Sequence, residues 1–121
     1  MIGIDLIKID RMKRLMERFG DRGLSKFLSS DEIALVKNHR TAAGFWAAKE
    51  ACSKALGCGI GYECGFHDIT LSKTPKGAPR ITLSPKVQYA YSITDISVSI
   101  THDGDYAIAV VALQSNQRKT L

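Results

Sequence analysis

FWAAKEACSKALG, residues 45–57, is the stretch on which the reading of this chain turns. At 3.6 residues per turn, Trp46, Glu50 and Lys54 recur at helical spacing and share one face. Ala47, Ala48, Ala51 and Ala55 cover another side, small enough to pack closely against a neighbouring backbone. Gly57 stops the helix, as a left-handed C-terminal residue does. A carboxylate and an amine in one row on a rigid helix suit a metal ion and a phosphate. They equally make an ordinary ion pair on a surface helix. The spacing leaves both readings open, and the flanking sequence has to choose.

Upstream, MIGIDLI (residues 1–7) alternates as a strand does, with Ile2, Ile4 and Leu6 on one face and Asp5 on the other. Asp10 is placed to cap a helix running to about Phe19, with Met12, Leu15, Met16 and Phe19 as its apolar stripe. Arg11, Arg14 and Arg18 fall on the adjoining face. Ser29 and Glu32 have capping-box spacing for a further helix to about Lys37, and Thr41 is placed to cap the long one. Downstream, the GCGIG loop (residues 57–61) is conformationally permissive, and the character then changes to strands. FHDITLS and RITLS flank the turn TPKGAP as a hairpin. Pro85 opens a short helix through Val87, Tyr89 and Tyr91. ISVSIT alternates strictly, HDGD turns the chain, and YAIAVVAL returns as a strand that is apolar on both faces. The tail QSNQRKTL is polar and expected to fray. The pattern predicts a single α+β domain over residues 1–121, with helices mainly in the first half and a mainly antiparallel sheet in the second.

With 121 residues, the chain can bury a core but is small for an enzyme that shelters its own site. No apolar run approaches the roughly 20 residues that span a bilayer. The N-terminus lacks the basic-then-apolar layout of a signal peptide, which predicts a cytoplasmic protein. Cys52, Cys58 and Cys64 are odd in number, which argues for reduced, packed thiols rather than a disulfide framework. Cys64 and His67 make a Cys-x-x-His fragment, with Cys58 and His102 as conceivable further zinc ligands, but no second tight pair accompanies them. The net charge of +5 calls for an acidic partner or substrate.

Asp5 carries the next inference. A carboxylate among apolar residues needs either a basic partner (Lys49, Lys54), a backbone amide or a hard cation. With Glu50 it makes the two-carboxylate set that magnesium commonly takes from protein, substrate phosphates and water completing the shell. The backbone N–H groups of the GCGIG loop could approach a phosphate, although the loop lacks a P-loop's ending and would equally serve as a plain turn. His102 sits at a strand end, where a rigid base presents side chains outward. The Arg11, Arg14, Arg18 face, with Leu15 beside it, suits an acidic amphipathic helix. Single-stranded nucleic acid would call for aromatic residues between the arginines, and there are none. No elbow motif surrounds Ser53, so the chemistry leans to metal-assisted transfer or hydrolysis rather than covalent catalysis.

Taken together, GIDLIKIDR (residues 3–11), FWAAKEACSKALGCGIG (45–61) and SITHDGDYAIAVV (99–111) resemble the holo-acyl-carrier-protein synthases of the 4′-phosphopantetheinyl transferase superfamily. The order and spacing agree, and the resemblance covers nearly the whole chain. It implies the transferase fold and transfer of 4′-phosphopantetheine from coenzyme A to a serine of apo acyl carrier protein. Adenosine 3′,5′-bisphosphate would be released, in support of fatty acid biosynthesis. Asp5 and Glu50 match the family's magnesium ligands, and Lys54 the lysine beside the coenzyme A diphosphate. His102 matches a coenzyme-contacting position, and Lys49, Gly57 and Gly59 complete the expected coenzyme set. Arg11, Arg14 and Arg18, with Leu15, match the helix that docks the carrier protein. The resemblance further implies a homotrimer with active sites at subunit interfaces, and the serine proton would go to Glu50, Asp5 or a metal-bound water. One position departs from the family. Phe45 stands where relatives commonly have arginine, and the sequence offers Arg40 or Lys49 in compensation. A non-catalytic module that binds an acidic partner and a magnesium-dependent phosphohydrolase are the competing expectations.

Overall fold

A computed structural model describes residues 1–116. The chain begins with strand β1 (Ile2–Lys8), which runs directly into helix α1 (Ile9–Phe19). Two short helices follow, α2 (Asp21–Leu24) and α3 (Ser30–Ile33), before the long helix α4 (His39–Leu56). A 3₁₀ turn at Phe66–Asp68 leads to the hairpin of β2 (Ile69–Lys73) and β3 (Pro79–Leu83). Helix α5 (Pro85–Tyr91) then precedes β4 (Ile93–Asp103) and β5 (Tyr106–Ser115). The architecture is α+β with antiparallel sheets, as the sequence predicts. The main sheet has the order β1-β5-β4, so the N-terminal strand joins the two C-terminal ones, and β2 and β3 form a separate pair.

Local signals account for most of the boundaries, with four corrections. Asp10 lies inside the first turn of α1, whose N-cap is Lys8 without a side-chain bond. There the Ile9 N–H instead donates to the Asp105 carbonyl at 2.8 Å, tying the helix start to the β4–β5 turn. The α4 cap is Asn38 rather than Thr41, because Asn38 Oδ1 accepts from the Arg40 and Thr41 amides and starts the helix earlier. The Ser29–Glu32 capping box does form, but α3 ends at Ile33, short of Lys37. Of the tail predicted to fray, Gln114 and Ser115 belong to β5 and residues 117–121 lie outside the described residues.

Helix α4 lies across the inner face of the main sheet, and its alanines make the contact. Ala47, Ala48 and Ala51 are wholly buried, as are Ala107, Ala109 and Val111 of β5. The approach to β1 is close enough that a Cβ on Gly3 would stand 2.0 Å from the Ala51 carbonyl oxygen. Only glycine fits there. Phe27, Trp46 and Phe66 close the other side of α4 as an aromatic cluster, with centroids 5.1 Å apart for Phe27–Trp46 and 4.8 Å for Trp46–Phe66.

The opening strand alternates as expected, but its apolar side chains face outward. Gly3 and Ile7 are buried towards α4, whereas Ile2, Ile4 and Leu6 are 72%, 59% and 55% exposed. In register, Ile4 sits beside Val110 and Ser99, and Leu6 beside Ile108 and Thr101. The sheet therefore carries an uncovered apolar surface opposite α4. This also explains why β5 is apolar on both sides: one faces the helix and the other continues that surface. No helix among the described residues is long and apolar enough to cross a membrane.

Candidate active site

The close packing at Gly3 fixes where Asp5 lies. Two residues further along β1, on the same inward side, Asp5 meets the last turns of α4. Lys54 Nζ donates to Asp5 Oδ1 at 2.8 Å and to the Ile4 carbonyl at 3.2 Å. The Lys54 ion pair is thus with Asp5 across the fold and not with Glu50 one turn back. Gly57 terminates the helix in the left-handed region, at φ 83°, and holds Lys54 in the final turn.

Glu50 lies one turn before Lys54 and close enough to Asp5 for the Asp5 charge to oppose ionisation of Glu50. Burial lifts the Glu50 carboxyl above its ordinary value and Asp5 adds to the rise, while Lys54 and Arg11 oppose it. Asp5, Glu50, Lys54 and Arg11 therefore form one charged cluster. Two carboxylates held together against their repulsion are the arrangement a divalent cation relieves. Among the described residues no three His, Cys, Asp or Glu side chains converge on a point, so any metal held at this cluster has two protein carboxylates to use.

The other predicted residues are placed differently. Lys49 does not reach this surface. It is fully buried on the opposite flank of α4, and its Nζ donates to Glu32 Oε1 at 2.9 Å and to the Phe27 and Phe66 carbonyls at 2.7 and 3.1 Å. Burial lowers its pKa, opposed by the bond and the charge of Glu32. The signal was in the sequence: Phe45, Lys49 and Cys52 recur at helical spacing on one stripe, and the flanking members are core residues. The amides of Gly57 and Gly59 are bonded within the chain. Gly57 N–H donates to the Lys54 carbonyl and Gly59 N–H to the Ser53 carbonyl, both as part of the helix cap.

His102 is at the far end of α4, its Nε2 2.8 Å from the Arg40 carbonyl oxygen. Strand β5 separates it from β1, two strand spacings or about 10 Å away. Beside the Arg40 end, Lys8, Lys13, Arg14, His39 and Arg40, together with Asp10 and Asp105, line a charged cavity of about 430 Å³ that sequence spacing did not indicate. It lies at the N-terminal ends of α1 and α4, away from Glu50 and Lys54.

On α1, Arg11 stacks over the Trp46 ring at 5.6 Å, Arg14 pairs with Asp10 at 2.9 Å and Arg18 lies over Phe19 at 5.2 Å. Leu15 is half-buried between them, against Gly23. The cation that meets the Phe45 ring is neither Arg40 nor Lys49 but Lys73, 5.9 Å from the centroid. The hairpin brings it there, which spacing along α4 could not indicate.

A sequence model described as the 4′-phosphopantetheinyl transferase superfamily, ACPS, matches residues 1–111. The chain belongs to that superfamily. Its curated relatives include the holo-[acyl-carrier-protein] synthase of Sulfurimonas denitrificans, 66% identical over 95% of both chains. That of Wolinella succinogenes is 56% identical over 97% of this chain and 99% of its own. Within the superfamily the chain is therefore a holo-[acyl-carrier-protein] synthase, a phosphopantetheinyl transferase. Its fold matches the crystal structure of the Helicobacter pylori enzyme in complex with coenzyme A, with TM-score 0.91 and 49% identity over 94% of this chain and all of that one. The Neisseria meningitidis enzyme gives 0.84 at 26% identity, over 94% of this chain and 97% of that one. Of this transferase's predicted site residues, the fold brings together Asp5, Glu50 and Lys54 and sets beside them Arg11, which the sequence reading placed on the docking face.

Proposed function

We propose that this enzyme transfers 4′-phosphopantetheine from coenzyme A to a serine of apo acyl carrier protein with magnesium held by Asp5 and Glu50. Residues 1–121 act as one catalytic domain. The observation that carries the reading is the cluster itself: two opposed carboxylates, one with a raised pKa, with the Lys54 ammonium hydrogen-bonded to the other. Magnesium bound there would supply charge neutralisation at the coenzyme diphosphate. Lys54 adds a point charge at the same place, and β1 and α4 hold both carboxylates on rigid elements. The exposed basic face of α1 docks the acidic carrier through Arg11, Arg14 and Arg18 around Leu15.

His102 contacts coenzyme A across an interface between copies of the chain. The support is twofold: His102 lies away from the carboxylate cluster, and the sheet presents the uncovered Ile2, Ile4 and Leu6 face for self-association. The family resemblance implies three copies, and we assign a homotrimer that buries this face. The three cysteines are unpaired, which fits the reducing cytoplasm, and the carrier product would serve fatty acid synthesis.

Incubation with apo carrier protein, coenzyme A and magnesium should add one phosphopantetheine to the carrier by mass spectrometry. No mass gain under any metal condition would remove the reading. Coenzyme A cleavage without carrier would point instead to a phosphohydrolase.

A further inference from the structure

Trp46 is the only tryptophan of the chain. Its ring is held from within by two aromatic neighbours, Phe27 in an edge contact at 5.1 Å and Phe66 in a tilted one at 4.8 Å. Phe66 in turn offers its backbone carbonyl to the buried Lys49 ammonium, so the ring's support is anchored to the core. With that side packed, the ring meets the Arg11 guanidinium of α1, 5.6 Å from its centroid. Arg11 itself is exposed and its charge is felt at Glu50, one helical turn beyond Trp46 on the same face of α4. A flexible, hydrated arginine would otherwise sample many rotamers, and a fixed aromatic platform restricts it.

We propose that Trp46 is a positioning residue: it holds Arg11 on the carrier-docking face of α1, at the edge where that face meets the Asp5–Glu50 cluster. The ring never meets the reacting atoms. It acts through Arg11, so its removal costs recognition of the carrier rather than binding of coenzyme A. The proposal rests on the transferase reading for its kinetic consequence, while the stacking itself can be tested without substrate.

The first arm uses fluorescence of the substrate-free protein, in which all tryptophan emission comes from Trp46. Arg11→Leu uncovers the ring, so acrylamide quenching should rise relative to the parent protein. Unchanged quenching would overturn the stacking, whatever the enzyme turns out to do. The second arm is kinetic. Trp46→Leu should raise KM for apo carrier protein about 3- to 5-fold, the range of a partly exposed cation–π contact, with KM for coenzyme A unmoved. Trp46→Phe keeps the packing against Phe27 and Phe66 and a weaker platform, and should recover part of the loss. In an Arg11→Gln background the Trp46→Leu effect on carrier KM should vanish. An equal effect in that background, or a parallel rise in both KM values, would show that Trp46 only fills the core. If Trp46→Leu proves unfolded, the Trp46→Phe pair in both backgrounds decides the same question. Absence of any transfer by the parent protein would reject the transferase reading and the kinetic role built on it, leaving quenching to decide the stack.

Discussion

Lys54 Nζ lies 2.8 Å from Asp5 Oδ1 although 49 residues separate them along the chain. The contact joins the last turn of α4 to the middle of β1 and sets an ammonium beside a carboxylate that also opposes Glu50. It exists because Gly3 lets the strand approach the helix backbone. The Lys54 side chain is half exposed, so its worth lies in charge placement more than in stability. Lys54→Met should lower kcat for phosphopantetheine transfer on the order of 100-fold, as loss of a positioned charge does, with a melting temperature little changed. Turnover by mass spectrometry and a thermal melt check both halves, and a wild-type kcat would remove Lys54 from the chemistry.

Glu50 illustrates a site held at some expense of stability. Its pKa is raised in the folded protein, so the native state binds more protons than the unfolded chain between the unfolded and folded values. Stability contributed by the protonated carboxyl is present below that window and lost as pH rises through it. Glu50→Gln should therefore raise the melting temperature at neutral pH without metal, and flatten the pH dependence in the weakly acidic range. The same variant should lose most of its magnesium-dependent turnover. A melting temperature that falls at neutral pH would contradict the charge opposition between Asp5 and Glu50.

Gly3→Ala tests the approach of β1 to α4. The added Cβ would meet the Ala51 carbonyl oxygen at 2.0 Å and the Ala55 nitrogen at 2.6 Å, both backbone atoms that cannot rotate away. The expected cost is about 4 kcal/mol or more, enough to unfold the chain or to push Asp5 out of reach of Lys54. Denaturant unfolding measures it. A loss below about 1 kcal/mol (roughly fivefold in the folding constant) would mean that the strand relaxes without consequence.

Lys49 and Glu32 form a buried ion pair with side-chain exposures of 0% and 3%. Glu32 also accepts from the Leu71 amide through Oε2 and from the Ser29 amide through Oε1, so one carboxylate joins α3, β2 and α4. Lys49→Met alone strands that carboxylate and should cost about 3–5 kcal/mol. Pairing it with Glu32→Gln, which removes the buried charge, should recover part of the loss. Equal destabilisation in the single and double variants would deny that the stranded charge is the cause.

The outer face of the main sheet predicts self-association. Leu6→Glu places a charge on the exposed row beside Ile108 and should shift the protein to monomers by analytical ultracentrifugation, without loss of secondary structure. If activity requires the assembly, transfer should fall with it. A parent protein that sediments as a monomer would refute the trimer directly.

Much of this was written locally. Helical spacing placed Glu50 and Lys54 on one face of α4, Gly57 marked its end, and the Ser29–Glu32 spacing announced a capping box. Alternation found β1 and β4, a run apolar on both faces after the HDGD turn found β5, and TPKGAP located the hairpin. These signals are legible because a helix turn or a strand pleat is decided by residues a few positions apart. Resemblance to a known family then singled out Asp5 and His102, for which spacing had offered several roles.

What only the tertiary structure decided is which way each face turns. Periodicity says that Ile2, Ile4 and Leu6 share a side of β1 but not that the side is outward; Gly3 and the α4 alanines settle that by needing backbone contact on the other. The same holds for the charges. Lys49 and Lys54 lie five positions apart on one helix, yet one is buried against Glu32 and the other reaches Asp5. Their partners come from distant segments, and the choice follows from desolvation and packing across the assembled fold. Local spacing alone therefore wrote the elements, and the contact between β1 and α4 wrote the site.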